Sequence, residues 1–357
     1  MFNKKRLIIV ILVFVALVAG VLTNAALKNY LLETEVSQLK FQTGMEYDTI
    51  AYGKDVLLVN HEGILALNRS GHELWSIVCA ATSPTVSVSG KYIMIADMNG
   101  KDVHVYKEDK LITQIKTEKE ILSAKMNKNG YVAVATADLG YKGMITVYDK
   151  SGTEIFKWHS GAGYIGGMDI SPKNKIALAQ IMTDRDKVYS KIIRLNVKKD
   201  SETESIAEID GIVMEVNFRE NGAFTAVSNE GVYGFKKSGK ALYSTSFGGR
   251  IMESYNIENE HNMVFAFDNG RNGTMLESYS QKGELRGSYD AEDEIRSFDV
   301  SGECIAIGTA YRLLRITPTG KLKGEWDISH DVRKIKVFGS RDRVVVIGGD
   351  SADLMKI

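Results

Sequence analysis

The stretch Gly63-Ile64-Leu65-Ala66-Leu67-Asn68-Arg69-Ser70-Gly71-His72-Glu73-Leu74-Trp75 reads as two strands joined by a tight turn. A run of apolar residues stops at Asn68, whose side chain bonds its own backbone in turns, and Gly71 supplies the left-handed position that closes one. Leu74 and Trp75 then resume a strand. The same turn recurs at Tyr148-Asp149-Lys150-Ser151-Gly152, Phe235-Lys236-Lys237-Ser238-Gly239, Tyr279-Ser280-Gln281-Lys282-Gly283 and Ile316-Thr317-Pro318-Thr319-Gly320. Weaker copies sit at residues 106–110 and, with a longer loop, at 195–203. The period is about 40 residues, the size of a four-stranded propeller blade.

Other strands keep phase with these turns, among them Tyr92-Ile93-Met94-Ile95-Ala96, Tyr131-Val132-Ala133-Val134-Ala135 and Val344-Val345-Val346-Ile347-Gly348. They are almost continuously apolar, as expected of a second strand sandwiched between neighbouring blades. A β-sandwich does not predict so regular a long period. Seven turns and a partial last unit predict an all-β fold, a β-propeller of about eight blades. The last unit has three strands, and residues 36–43 are expected to supply its outer strand beside residues 352–357, closing the ring.

The repeat resembles that of quinoprotein-type propellers, in the PQQ-like and WD40-like manner: Gly, apolar residues, a tight Gly turn, an apolar residue and Trp. Trp158 and Trp326 are read as holding the place of Trp75 after Gly152 and Gly320. The resemblance implies either a quinone-dependent dehydrogenase with quinone and calcium or a non-catalytic envelope propeller. The sequence lacks the adjacent cysteine pair of many of the enzymes and a matching calcium-binding carboxylate set. The membrane-anchored, non-catalytic branch is therefore expected, with no cofactor.

The chain of 357 residues has 45 Lys plus Arg and 45 Asp plus Glu, so it lacks the basic footprint of a nucleic-acid binder. Its two cysteines, Cys79 and Cys304, are too few and too far apart for a disulfide framework or zinc motif, and read as buried. Lys4, Lys5 and Arg6 precede an apolar run over residues 7–27, long enough for a helix to cross a bilayer. The charge asymmetry keeps residues 1–6 cytoplasmic and sends the body outside. The expected organisation is a transmembrane signal-anchor at 7–27, a stalk at 28–35 and the propeller at 36–357. A cleaved signal peptide is the competing reading; Thr23-Asn24-Ala25 resembles a cleavage site, but the run is long for one.

No protease helix motif, nucleophile elbow or phosphate loop is present. Gly161-Ala162-Gly163-Tyr164-Ile165-Gly166 spells a Gly-rich fingerprint without the helix that would hold a phosphate, and reads as a flexible loop between blades. Asn99-Gly100 and Asp149-Lys150-Ser151-Gly152 read as turns rather than calcium or Asp-box motifs. Asn68-Arg69-Ser70 and Asn272-Gly273-Thr274 fit the glycosylation pattern, but lie in predicted turns. The expected role is binding, scaffolding or sensing in the cell envelope through a protein partner, a propeller enzyme being the alternative. Chain direction places His61, Tyr141, His159, Tyr164, Arg250, Tyr311, His330 and Asp350 on one face, the candidate binding surface. Residues 198–202 fall on the opposite, membrane-side face.

Overall fold

The computed structural model describes residues 37–39, 45–79, 81–198, 203–270, 273–339 and 342–357. The chain enters at β1 (Ser37–Gln38), and blade 1 follows with β2 (Asp48–Tyr52), β3 (Asp55–Asn60), β4 (Gly63–Leu67) and β5 (Glu73–Val78). Blade 2 has β6 (Pro84–Ser89), β7 (Tyr92–Asp97), β8 (Asp102–Lys107) and β9 (Lys110–Lys116). Then come β10 (Ile121–Met126), β11 (Val132–Thr136), β12 (Met144–Tyr148) and β13 (Glu154–His159) of blade 3. In blade 4 the middle strands lengthen: β14 (Tyr164–Ile170), β15 (Lys175–Asp184), β16 (Lys187–Asn196) and β17 (Thr203–Asp210).

Blade 5 runs β18 (Val213–Phe218), β19 (Phe224–Ser228), β20 (Gly231–Phe235) and β21 (Ala241–Ser246), and blade 6 runs β22 (Met252–Asn256), β23 (Asn262–Asp268), β24 (Thr274–Ser280) and β25 (Leu285–Ala291). Blade 7 contains β26 (Ser297–Ser301), β27 (Cys304–Gly308), β28 (Arg312–Ile316) and β29 (Leu322–Asp327). Blade 8 has only β30 (Lys334–Phe338), β31 (Arg343–Ile347) and β32 (Ala352–Lys356) from the C-terminal end. Its fourth strand is β1, antiparallel to β32 with Ser37 opposite Leu354 and Gln38 opposite Asp353. The all-β, eight-bladed propeller and its closure by the two chain ends are thus observed.

Eight apolar clusters hold the disc together, one at each junction between neighbouring blades. The second strands feed two junctions at once: Val132–Thr136 and Cys304–Gly308 are buried at every residue. Strand alternation explains this, since successive side chains point to opposite faces of a sheet covered on both sides. The seam cluster between blades 8 and 1 packs Leu39 with Val56, Val345 and Leu354.

Cys79 and Cys304 are both buried, as expected. Asn99 and Asp149 sit in turns. Asn99 adopts φ of 63°, and the Asp149 carboxylate accepts the Ser151 and Thr153 amides at 2.9 and 3.0 Å. Two details differ from the sequence reading. Trp75 lies opposite Ala66, whereas Trp158 and Trp326, opposite Ile145 and Leu313, sit one strand repeat further along their outer strands. Gly166 belongs to inner strand β14 rather than to a loop, because the inner strands converge on the axis; a Cβ there would meet the Val213 carbonyl oxygen at 2.8 Å.

The expected anchor at 7–27 and stalk at 28–35, with Val36, residues 40–43, residues 199–202 and Asn272, lie outside the described residues. Among the described residues no helix is long and apolar enough to cross a membrane.

Candidate functional site

Strand direction divides the disc into two faces. Connections from second to third strands, and from each outer strand to the next blade, lie on what is here termed the loop face; the remaining tight turns form the turn face. All eight candidate residues occupy connections or strand ends of the loop face.

The junction of blades 3 and 4 brings three of them together. His159 ends β13; its Nδ1 lies 2.6 Å from Asp138 Oδ2 and its ring packs 4.8 Å from that of Tyr141. Lys142, next in the same connection, places its ammonium 4.8 Å over the ring of Tyr164, which opens β14. A buried polar base fixes this corner: Gln180 Nε2 donates to Ser160 Oγ at 2.8 Å, and the Lys142 amide donates to the Ser160 carbonyl at 2.8 Å. On that base Leu139 is 79 % exposed, Tyr164 60 % and Tyr141 51 %. Ile212 and Ile251, in the next two connections between blades, are exposed as well.

Other candidates have structural partners. Arg250 makes a two-pronged pair with Glu277, at 2.6 and 3.0 Å, and stacks 4.0 Å over the Phe267 ring. Burial would raise the Glu277 pKa, but hydrogen bonds from Arg250 and Tyr279 more than offset it and hold the carboxyl below its ordinary value. His330 Nε2 lies 3.1 Å from Asp353 Oδ2, both side chains largely buried in blade 8. Tyr311 and Asp350 are exposed on blades 7 and 8, apart from the blade 3–4 corner. His61 borders a separate surface cavity of about 680 Å³ with Met45, Asn60 and Arg333.

The central channel, about 820 Å³, is walled by inner strands and carries charges absent from the candidate set. Lys125 stands 3.9 Å from Glu215. Asp169 joins blades 4 and 5 by accepting the Phe218 amide at 2.6 Å. Burial pushes its pKa up to about 6, against the opposing pull of that amide and of Lys125. Asp299 repeats the device between blades 7 and 8, accepting the Val337 amide and the Lys336 ammonium, each at 2.9 Å. Burial raises its pKa too, against the pull of Lys336. Lys125 thus pairs with Glu215 and Lys336 with Asp299; among the described residues none forms a set of three or more side chains placed to hold a metal. A lone charge within an inner strand, as in Ile121-Leu122-Ser123-Ala124-Lys125, was the available signal for them.

The fold is similar to that of BamB from Moraxella catarrhalis, at 11 % identity over 90 % of this chain and 100 % of that chain, with a TM-score of 0.56. The C-terminal WD40 domain of Sif2 compares at 10 % identity, 89 % and 99 % coverage and a TM-score of 0.61. The Dos1 propeller gives 11 % identity, 90 % and 95 % coverage and a TM-score of 0.63. At such identities the likeness concerns the fold alone. No curated protein matches the sequence. The model of one family, described as a family of unknown function, matches residues 26–357.

Proposed function

The chain belongs to that family, DUF5711, and we propose that it serves as a membrane-tethered, extracytoplasmic protein-binding propeller, a scaffolding or sensing module of the cell envelope. The observation that carries the binding role is the corner of blades 3 and 4, where Leu139, Tyr141 and Tyr164 stand exposed on a rigid, hydrogen-bonded base. Aromatic anchors held in place before contact lose little conformational freedom on binding. Ile212 and Ile251 extend the apolar character across blades 4 to 6. The basic residues Lys4, Lys5 and Arg6 before the apolar run at 7–27 support the tether and the outward body.

The test is crosslinking in intact membranes followed by recovery of the chain and whatever is joined to it. A variant with Leu139→Ser, Tyr141→Ala and Tyr164→Ala should lose its crosslinked partner severalfold while its melting temperature stays close to that of the parent. Undiminished recovery would remove the corner from the binding surface. Digestion of the body by protease added outside sealed cells checks its location.

A further inference from the structure

The two faces of the disc carry opposite charge. Among the described turns of the turn face, cations outnumber carboxylates, with Lys54, Lys91, Lys128, Lys173, Lys236 and Lys237 contributing. Loop-face connections are acidic by the same comparison, as at Glu62, Asp138, Asp186, Glu230, Glu292 and Asp293.

The cations crowd most where blades 4 and 5 meet. Lys173, in the turn between β14 and β15, and Lys175, at the start of β15, repel Lys237, in the turn between β20 and β21. That crowding holds the Lys237 ammonium below its ordinary pKa. No carboxylate of the described residues lies within 4.0 Å of Lys173, Lys175, Lys236 or Lys237. Arg194 Nη1 donates to the Lys237 carbonyl at 2.7 Å and so fixes the turn that presents two of these charges. A cluster of like charges with no ion-pair partner among the described residues attracts an anion.

Two further observations say which anion. Leu74, Ile112, Ile155, Leu242, Leu285 and Leu322 are exposed, one on each of six outer strands and all within three residues of the strand start, so they fringe the turn face with aliphatic groups. Basic groups with an aliphatic fringe match the phosphate and acyl layers of a membrane surface. The direction of β1, from Ser37 opposite Leu354 to Gln38 opposite Asp353, means that this strand begins on the side of the turn face. Nine residues, 28–36, separate β1 from the apolar run and reach at most about 30 Å when extended.

We infer that the turn face docks onto a bilayer surface carrying anionic lipid, with headgroup phosphates seated at Lys173, Lys175, Lys236 and Lys237. The inference rests on the reading that residues 7–27 anchor the chain. Docking would leave the loop face, with Leu139, Tyr141 and Tyr164, turned away from the membrane and open to a partner.

The full chain, reconstituted in vesicles of phosphatidylcholine alone or with phosphatidylglycerol as minority lipid, is treated briefly with a lysine-acetylating reagent and read by mass spectrometry. Labelling of Lys173 and Lys237 should fall severalfold only with phosphatidylglycerol, and raised salt should restore it. The Lys173→Glu, Lys237→Glu variant should lose protection at Lys236, while Lys119 on the loop face reacts alike throughout. Equal labelling in both vesicles overturns the docking face. Equal protection by inorganic phosphate in phosphatidylcholine vesicles overturns it in favour of a free-anion site. Alkaline carbonate extraction of the same vesicles reads the anchor separately. Release of a chain whose lysines had been protected removes the anchor and keeps the docking face; retention of a chain with unprotected lysines does the reverse.

Discussion

Asp169 shows how one residue of an inner strand can make the fold respond to acid. Its carboxyl titrates at about 6 in the fold against an ordinary 3.8, because burial disfavours the ionised form more than the Phe218 amide and Lys125 favour it. Between those values the folded chain holds a proton that the unfolded chain has released, so folding gains as pH falls. That stability is fully present below the unfolded value and lost as pH rises through about 6. Groups with depressed values, such as Glu277, act in the opposite sense but at lower pH. The melting temperature should therefore rise from about pH 7 to about pH 5, with Asp169 worth on the order of 1 kcal/mol over that window. Asp169→Asn keeps an acceptor for Phe218 and removes the titration, so its curve should be flatter. Identical slopes in parent and variant would show that this carboxylate is not the source. Asp299 and Glu215, also raised by burial, should leave a residual slope.

The elements account for what the sequence made legible. A turn such as Asn68-Arg69-Ser70-Gly71 is local chemistry, a side-chain acceptor and a left-handed glycine, so its repetition revealed the blades without knowledge of packing. Buried second strands were legible for a similar reason, since a strand covered on both faces has no polar alternation. The Trp register was not, because moving an aromatic by one strand repeat keeps it on the same sheet face, where either position packs against the neighbouring blade. Nor was the division of labour among the candidates. Arg250 and His330 find Glu277 and Asp353, 27 and 23 residues away, by tertiary placement alone. Closure was legible from strand count and is the most exposed element to test. Removing Leu354–Ile357 deletes one of β1's two partner residues, Leu354, and with it two buried side chains of the junctions flanking blade 8, Leu354 and Met355. It also bares strand edges. The truncated chain should melt well below the parent or fail to accumulate folded; an unchanged melting curve would disprove the seam.

At the scale of the whole molecule, ring closure decides how damage spreads. A solenoid repeat touches two neighbours but ends in caps, so it can fray from either end. Here every blade has two neighbours, and each of the eight junctions buries a cluster of comparable kind. Losing one blade breaks two junctions and leaves an open arc, so partial unfolding exposes apolar surface at both ends of the break. Phe265 tests this far from the seam. It is fully buried in blade 6, with ring centroids 5.0 Å from Phe247 and 5.8 Å from Tyr279. Phe265→Ala should cost about 3–5 kcal/mol, since the cavity cannot collapse between two sheets pinned by their neighbours. In native-state hydrogen exchange, a closed ring predicts that the slowest amides of blade 2, across the disc, accelerate by the same factor as those of β23. Acceleration confined to blades 5 to 7 would mean that the ring opens locally and behaves as a bent solenoid. Equal acceleration around the disc identifies the ring as one cooperative unit, the rigidity on which a preformed loop face depends.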